Sequence, residues 1–360
     1  MTDQLDLTSY RLLGRSGLRV SPLALGTMTF GADWGWGAED ADARRIFDAY
    51  VDRGGNFVDT ANVYTNGSSE RLVGEFAQGK RDQLVISTKY TMATRPGDPN
   101  SGGNHRKSMV ASVEESLRRL KSDYIDLLYL HQWDALTPVE EILRAMDDLV
   151  RQGKVLYLGL SDIPAWQVAR MQAVADLRGW SPFIALQTEY NLVERTSERD
   201  LIPMSREMGL GVVPWSPLAN GVLSGKYSRA DLNGGSGGGL TSVQGSRKAV
   251  ALGYGSLSER GLDIAEVVKA VAAEAGHEPA QVAIAWTLAN RGVAATLLGA
   301  RTLQQFEGNL GALEVSLSAE HLGRLEQVSG ITLGFPHDLL RQTAVRQMIS
   351  GGTATPVRTW

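Results

Sequence analysis

Asn56-Phe57-Val58-Asp59-Thr60-Ala61-Asn62-Val63-Tyr64 is the stretch whose reading decides the fold. Gly54-Gly55 closes a segment of helical spacing, Phe57 and Val58 make a short apolar strand, and the sequence then turns polar at once. In a barrel of alternating strands and helices, residues just past a strand's carboxyl end face the active-site mouth. Asp59 then sits at a strand tip, with Tyr64 on the loop beyond it. Taken alone, the stretch has a plainer meaning: Asp59 caps the next helix and Tyr64 packs on its surface. What the flanking chain supplies decides between them.

Working outward, apolar runs alternate with amphipathic ones. Leu12 to Val20 reads as two short strands joined by a turn carrying Ser16 and Gly17, and Leu23-Ala24-Leu25-Gly26 is a further apolar run. Helical spacing covers 40–53, 68–76, 107–120, 138–152, 165–178, 197–208, 279–290 and 303–310. Strands fall between them at 56–59, 84–89, 126–131, 155–161, 184–190, 211–216 and 294–299. Alternation of this kind predicts an α/β protein, a closed (β/α)8 TIM barrel preceded by a β-hairpin. An open doubly wound sheet is the alternative, and the absence of Gly-x-Gly-x-x-Gly after the first strand counts against it. The expected organisation is one domain over 1–360, with the barrel at about 10–313 and a helical tail over 314–360, including a helix over 338–348. Within 228–262, after the seventh strand, lies the glycine-rich run Asn233 to Gly239. It reads equally as a flap over a cofactor or as a tolerated insertion.

Composition narrows the function. A chain of 360 residues with 43% hydrophobic and 21% charged residues fits a globular protein with a large core. A net charge of −4 gives no electrostatic reason to expect nucleic acid or an anionic membrane as partner. With no cysteine, disulfides, thiolate catalysis and cysteine metal sites are excluded. The acidic start, Met1 to Asp6, lacks the pattern of a signal peptide, and no window approaches the roughly 18 apolar residues of a membrane span, so a cytoplasmic location is expected. The five histidines form no paired ligand motif, so no metal site is expected and a metal-dependent hydrolase is disfavoured. Oligomeric state does not follow from the sequence.

On the barrel reading, Asp59 and Tyr64 follow the second strand, Lys89 ends the third and His131 the fourth. Each has a dull explanation alone, but a barrel brings strand ends to one mouth. A phenol with a pKa of about 10 is a poor acid at neutral pH unless its anion is stabilised. An ammonium at Lys89 provides that, Asp59 holds the lysine, and His131 can donate to a carbonyl oxygen. The set polarises and protonates a C=O but lacks a nucleophile, which an external hydride donor would supply.

Phe57-Val58-Asp59-Thr60-Ala61-Asn62-Val63-Tyr64, Ile86-Ser87-Thr88-Lys89 and Leu130-His131 resemble the catalytic tetrad of the aldo-keto reductases, over most of the chain from about Tyr10 to Leu313. The resemblance implies NAD(P)H-dependent reduction of aldehydes and ketones, with Tyr64 as general acid. It extends to potassium-channel beta subunits, so a cofactor-binding sensor with little turnover is the alternative. It also implies where the cofactor lies. Gly26 and Thr27 end the first strand. Gly159-Leu160-Ser161-Asp162 is similar to the family's Gly-x-Ser-Asn, with Asp162 able to accept from a carboxamide but not donate. Gln187 matches the glutamine that binds the carboxamide, and Trp215, followed by Ser216 and Leu218, the aromatic residue that stacks on the nicotinamide. Gly221, Gly225 and Lys226 resemble the pyrophosphate loop. Gly299, Arg301, Gln305 and Asn309 resemble the adenosine-phosphate clamp, in which a guanidinium grips a 2′-phosphate and favours NADPH. Gly308 stands where the family often has glutamate, with Glu307 one position earlier. Met28, Trp34, Trp36, Tyr90 and Trp133 are the expected apolar wall for a small carbonyl substrate.

Overall fold

The computed structural model describes residues 5–232 and 247–353, so the glycine run Asn233 to Gly239 lies outside the described residues. Eight parallel strands are formed by Leu23–Gly26 (β1), Phe57–Asp59 (β2), Val85–Tyr90 (β3), Ile125–Leu130 (β4), Val155–Ser161 (β5), Phe183–Glu189 (β6), Gly211–Trp215 (β7) and Thr296–Leu298 (β8). The sheet runs β8-β1-β2-β3-β4-β5-β6-β7, and a single Val212–Val293 bridge joins its two edges. The result is a nearly closed (β/α)8 TIM barrel with helices between the strands. No helix of the described residues is long and apolar enough to cross a membrane.

A hairpin precedes the barrel, Arg11–Leu12 pairing antiparallel with Arg19–Val20. Leu13 and Val20 are fully buried with Ala24, Phe57, Val85, Leu127 and Val213, residues at or near the starts of barrel strands. The hairpin therefore plugs the amino-terminal end. Gly14 makes the turn at φ +59°, and a Cβ there would meet the Ile184 carbonyl oxygen at 2.1 Å. Only glycine lets the plug sit this close.

The period of two along each strand sorts side chains between barrel interior and helix layer. In β3, Val85, Ser87 and Lys89 point inward, whereas Ile86 and Tyr90 join the core beneath the helices. Thr88, also outward, donates to Glu70 Oε1 at 2.5 Å, and Glu70 is paired in turn with Arg119 at 2.6 Å. On the next two strands Tyr129 stands opposite Gly159. A Cβ on Gly159 would lie 2.4 Å from the Tyr129 ring, so the missing side chain makes room for a phenol inside the barrel.

Several elements differ from the sequence reading. The stretch 197–208 splits into a 3-10 turn, Thr196–Glu198, and a helix, Leu201–Met208. The stretch 228–262, open in sequence to either a flap or a tolerated insertion, contains within its described residues helix Arg247–Gly253 and the start of a long helix, Glu259–Ala275. Ser258 caps the latter, its Oγ accepting from the Gly261 N–H at 3.1 Å. In the tail, the helix expected at 338–348 is two short ones, His337–Arg341 and Thr343–Ile349, broken where Gln342 is extended (φ −65°, ψ 132°). Helix Ala319–Ser329 packs against Glu259–Ala275.

Candidate active site

β2 is only three residues long, and its register with β3 pairs Asp59 with Ser87. Two residues on, Lys89 shares the inward face and reaches across to β2. Its Nζ donates to Asp59 Oδ2 at 2.5 Å, to the Thr60 carbonyl at 2.8 Å and to the Tyr64 hydroxyl at 3.2 Å. An ammonium has three N–H bonds, so all are committed. Lys89 is fully buried and Asp59 nearly so. Burial pulls the lysine's pKa down, but Asp59 and Tyr64 outweigh it and hold the ammonium above its ordinary range. A buried charge is tolerable only when paired in this way.

Tyr64 stands at the start of a turn in which Thr65 and Asn66 adopt left-handed backbone conformations. Burial pushes its phenol up, Lys89 pulls it down, and Asp59 pushes it up again, with a net rise. The lysine thus acts in the expected direction, but burial outweighs it. The Tyr64 ring meets His131 edge-on at 5.8 Å between centroids. Burial and the nearby Lys89 hold the His131 imidazole well below its usual pKa, so it is neutral, and its Nδ1 is buried without a partner among the described residues.

On the other side of the mouth, Ser161 ends β5 with a buried Oγ that has no partner among the described residues. Asp162 follows in the left-handed region (φ 43°), which aspartate and asparagine tolerate best among non-glycine residues. It accepts from Trp215 Nε1 at 3.1 Å. Gln187, beside Ser161 in the β5–β6 register, donates from Nε2 to Asp59 Oδ1 at 3.0 Å. Thr27 is fully buried with its hydroxyl bonded to the Asp59 carbonyl and Ser69, so its side chain joins β1 to β2. Gly26 and Gly299 face one another at the β8–β1 seam. After β7 the chain passes through Ser216, Ala219, Asn220, Gly221 and Gly225, all at positive φ, with half-buried Leu218 among them.

Lys226, Arg247 and Arg301 gather there. Lys226 is pushed down by burial and by the two arginines, and Arg247 by burial and Arg301. None of the three forms an ion pair with a carboxylate among the described residues, and like charges assembled without one call for an anion. No sequence signal marks Arg247, which follows the glycine run far from any strand end. Gln305 Oε1 accepts from the Arg301 N–H at 3.1 Å, and Asn309 is half-buried on the same helix, Leu303–Leu310. Glu307 pairs with Arg53 at 2.7 Å. Ser161 Oγ, unpartnered among the described residues, together with the Trp215 face and the cation cluster, fits a dinucleotide cofactor.

Of the expected substrate wall, Trp34 and Trp36 come together at 5.9 Å, and Trp34 meets Tyr64 edge-on at 6.5 Å. The Arg247 guanidinium lies over the Trp36 ring at 5.3 Å. Met28 is half-buried just past β1. Trp133 lines a cavity of about 650 Å³ together with Thr91, Met92, Gln132 and Leu136. Tyr90 is placed elsewhere. It is fully buried on the helix side, with its hydroxyl donating to the Asn104 carbonyl at 3.3 Å. Adjacent strand residues face opposite ways, so Tyr90 cannot share the mouth with Lys89.

Burial pushes the Asp162 carboxyl up to about 6, with the Trp215 hydrogen bond opposing it. A carboxyl raised in the folded state costs stability once it must ionise, so stability of the cofactor-free protein falls as pH rises from about 4 to above 6. Glu189, pushed up to about 7 by burial and by Glu194, adds to the same slope. Asp162→Asn is expected to remove on the order of 2 kcal/mol of this decline. Denaturant titrations at acidic and mildly alkaline pH measure it, and an unchanged slope would mean that solvent screens the group.

Residues 22–329 match the model of the family described as Aldo/keto reductase family. Norsolorinic acid reductase of Aspergillus flavus is 36% identical over 359 residues, covering 97% of this chain and 88% of that protein. An aryl-alcohol dehydrogenase [NADP(+)] of Phanerodontia chrysosporium is 37% identical over 336 residues, covering 89% and 86% respectively. A putative aryl-alcohol dehydrogenase of Saccharomyces cerevisiae is 35% identical over 367 residues, covering 98% and 95%.

Proposed function

The chain belongs to the aldo/keto reductase family and is an oxidoreductase of carbonyl groups, and from that premise we propose that it reduces aromatic aldehydes or ketones with NADPH, Tyr64 giving the proton. One observation carries the reading: Lys89 Nζ is bound at once to Asp59 and to the Tyr64 hydroxyl. A phenol that delivers its proton becomes a phenolate, and the fixed ammonium stabilises that anion as it forms. His131, held neutral, serves as a hydrogen-bonding group that orients the carbonyl oxygen rather than as a competing acid. Reduced nicotinamide, when bound, supplies the hydride.

Ser161, Asp162 and Gln187 would hold the carboxamide and Trp215 the ring face, while Gly26, Ser216, Leu218, Gly221, Gly225, Gly299, Gln305 and Asn309 would line the rest of the cofactor. Lys226, Arg247 and Arg301 would take its phosphates. Two relatives are named for aryl alcohols, one with NADP(+), which supports both the aromatic substrate class and the phosphate-bearing cofactor. The tilted Trp34–Trp36 pair beside Tyr64 supports the same class, since indole faces and edges pack favourably against flat, apolar rings.

NADPH consumption with a panel of benzaldehydes, aliphatic aldehydes and sugar-like ketones tests the proposal. Turnover strongest with the aryl compounds is expected, and turnover confined to the sugars would overturn the substrate class. Arg301→Ala is expected to weaken NADPH about 10- to 100-fold, as loss of a charge-assisted contact does. Fluorescence titration should show a much smaller effect on NADH. An equal loss for both cofactors would mean that Arg301 does not read the 2′-phosphate.

A further inference from the structure

Asp59 Oδ2 is taken by Lys89, yet the carboxylate has a second oxygen, and its partners are equally fixed. Oδ1 accepts from Ser87 Oγ at 2.7 Å and from Gln187 Nε2 at 3.0 Å. Ser87 is fully buried, lies directly opposite Asp59 in the β2–β3 register, and sits two residues before Lys89 on the same inward face. β3 thus supplies a hydrogen bond to each end of one carboxylate, from Ser87 below and from Lys89 above. We propose that Ser87 is a positioning residue for the reduction, holding the Asp59 carboxylate so that Lys89 keeps its third N–H bond on Tyr64.

The lysine couples the two residues. Its three N–H bonds have one acceptor each, so the 3.2 Å contact with Tyr64, the longest of the three, is the one that gives way if Asp59 pivots. Without the Ser87 hydroxyl, Gln187 is the one hydrogen-bond partner left to Oδ1 among the described residues, and Lys89 must follow any pivot of the carboxylate about that single amide. Charge works in the same direction. A hydrogen bond to a carboxylate spreads its negative charge. Removing it leaves Asp59 drawing more strongly on the ammonium and leaves less of that charge for a phenolate at Tyr64. Titratable groups around the phenol are Lys89 on β3, Asp59 at the end of β2, His131 just past β4 and Asp162 just past β5, with Tyr129 below beside Asp59. His131 is neutral, and Asp162 also disfavours the phenolate, so none of them replaces Lys89.

This inference rests on Tyr64 being the proton donor, so the test separates the two. Ser87→Ala, Ser87→Thr and the wild type are compared by the pH profile of kcat/KM for aryl-alcohol oxidation, in which Tyr64 must act as base. Ser87→Ala is expected to move the ionisation of that base upward by about one pH unit and to lower kcat about tenfold, with the cofactor dissociation constant little changed. Ser87→Thr keeps the hydroxyl and is expected to restore the wild-type profile. Should the alanine chain not fold, Ser87→Cys, a similar volume with a weak donor, reads the same shift. A profile for Ser87→Ala superposable on the wild type, whatever its stability, would overturn the inference. If no substrate turns over, the same shift is read from phenolate absorbance, each chain differenced against its Tyr64→Phe counterpart. An ionisation unmoved there also overturns it, whereas absent turnover alone counts against the proposed function and not against Ser87.

Discussion

Tyr64→Phe is expected to lower carbonyl reduction by about 10²- to 10⁴-fold, the range in which a positioned general acid contributes, while NADPH binding stays close to wild type. The substitution deletes one oxygen and leaves the ring. Edge-on contacts with Trp34 and His131 depend on the ring and survive. Lys89 loses only its longest acceptor and keeps Asp59 and Thr60. His131 cannot take over as acid near neutrality, because burial and Lys89 keep it unprotonated. Single-turnover reduction and a cofactor titration on the same preparation decide the matter. Retained turnover would remove Tyr64 from the role of acid, and cofactor affinity lost in step with rate would make it a binding residue instead.

Lys89→Met combines a chemical loss with a structural one. The variant leaves the Asp59 carboxylate buried with Ser87 and Gln187 but without its counter-charge. Removing one partner of a buried ion pair costs about 3–5 kcal/mol, because the other charge stays behind. Lys89 is also the group that pulls the Tyr64 phenol down against burial and Asp59, so reduction should fall by at least about 10²-fold. A double variant, Asp59→Asn with Lys89→Met, separates the two effects. It is expected to recover much of the stability and none of the activity, since the orphaned charge is gone but the ammonium is still missing. Thermal or denaturant unfolding reads the first and steady-state reduction the second. A single variant as stable as the wild type would mean that water or a shifted side chain already compensates Asp59.

What could be read from the sequence depended on the range of the signal. Asp59, Tyr64, Lys89 and His131 were legible because each stands at or just beyond the end of an apolar run, and the barrel converts that local fact into proximity. Tyr90 departs from the expected substrate wall, and the strand's own period explains it, assigning Tyr90 to the helix side once Lys89 faces inward. The sequence reading assigns no helix to Glu259–Ala275, though Ser258-Glu259 carries the signature of a helix start. Arg247 was out of reach. Its approach to Lys226, Arg301 and Trp36 joins segments far apart in the chain, and no spacing rule encodes that.

The plug formed by the hairpin divides the molecule's responsibilities. Leu13, Gly14 and Val20 secure the barrel at one end, and Asp59, Tyr64, Lys89 and His131 stand at the other. Loops at the mouth, such as the one carrying Trp34 and Trp36, are anchored to strands that are already closed from beneath. A lineage can therefore rewrite what the protein accepts without renegotiating how it folds. Diversity of substrate across such a family needs no diversity of architecture, because innovation and integrity are kept at opposite poles of one barrel.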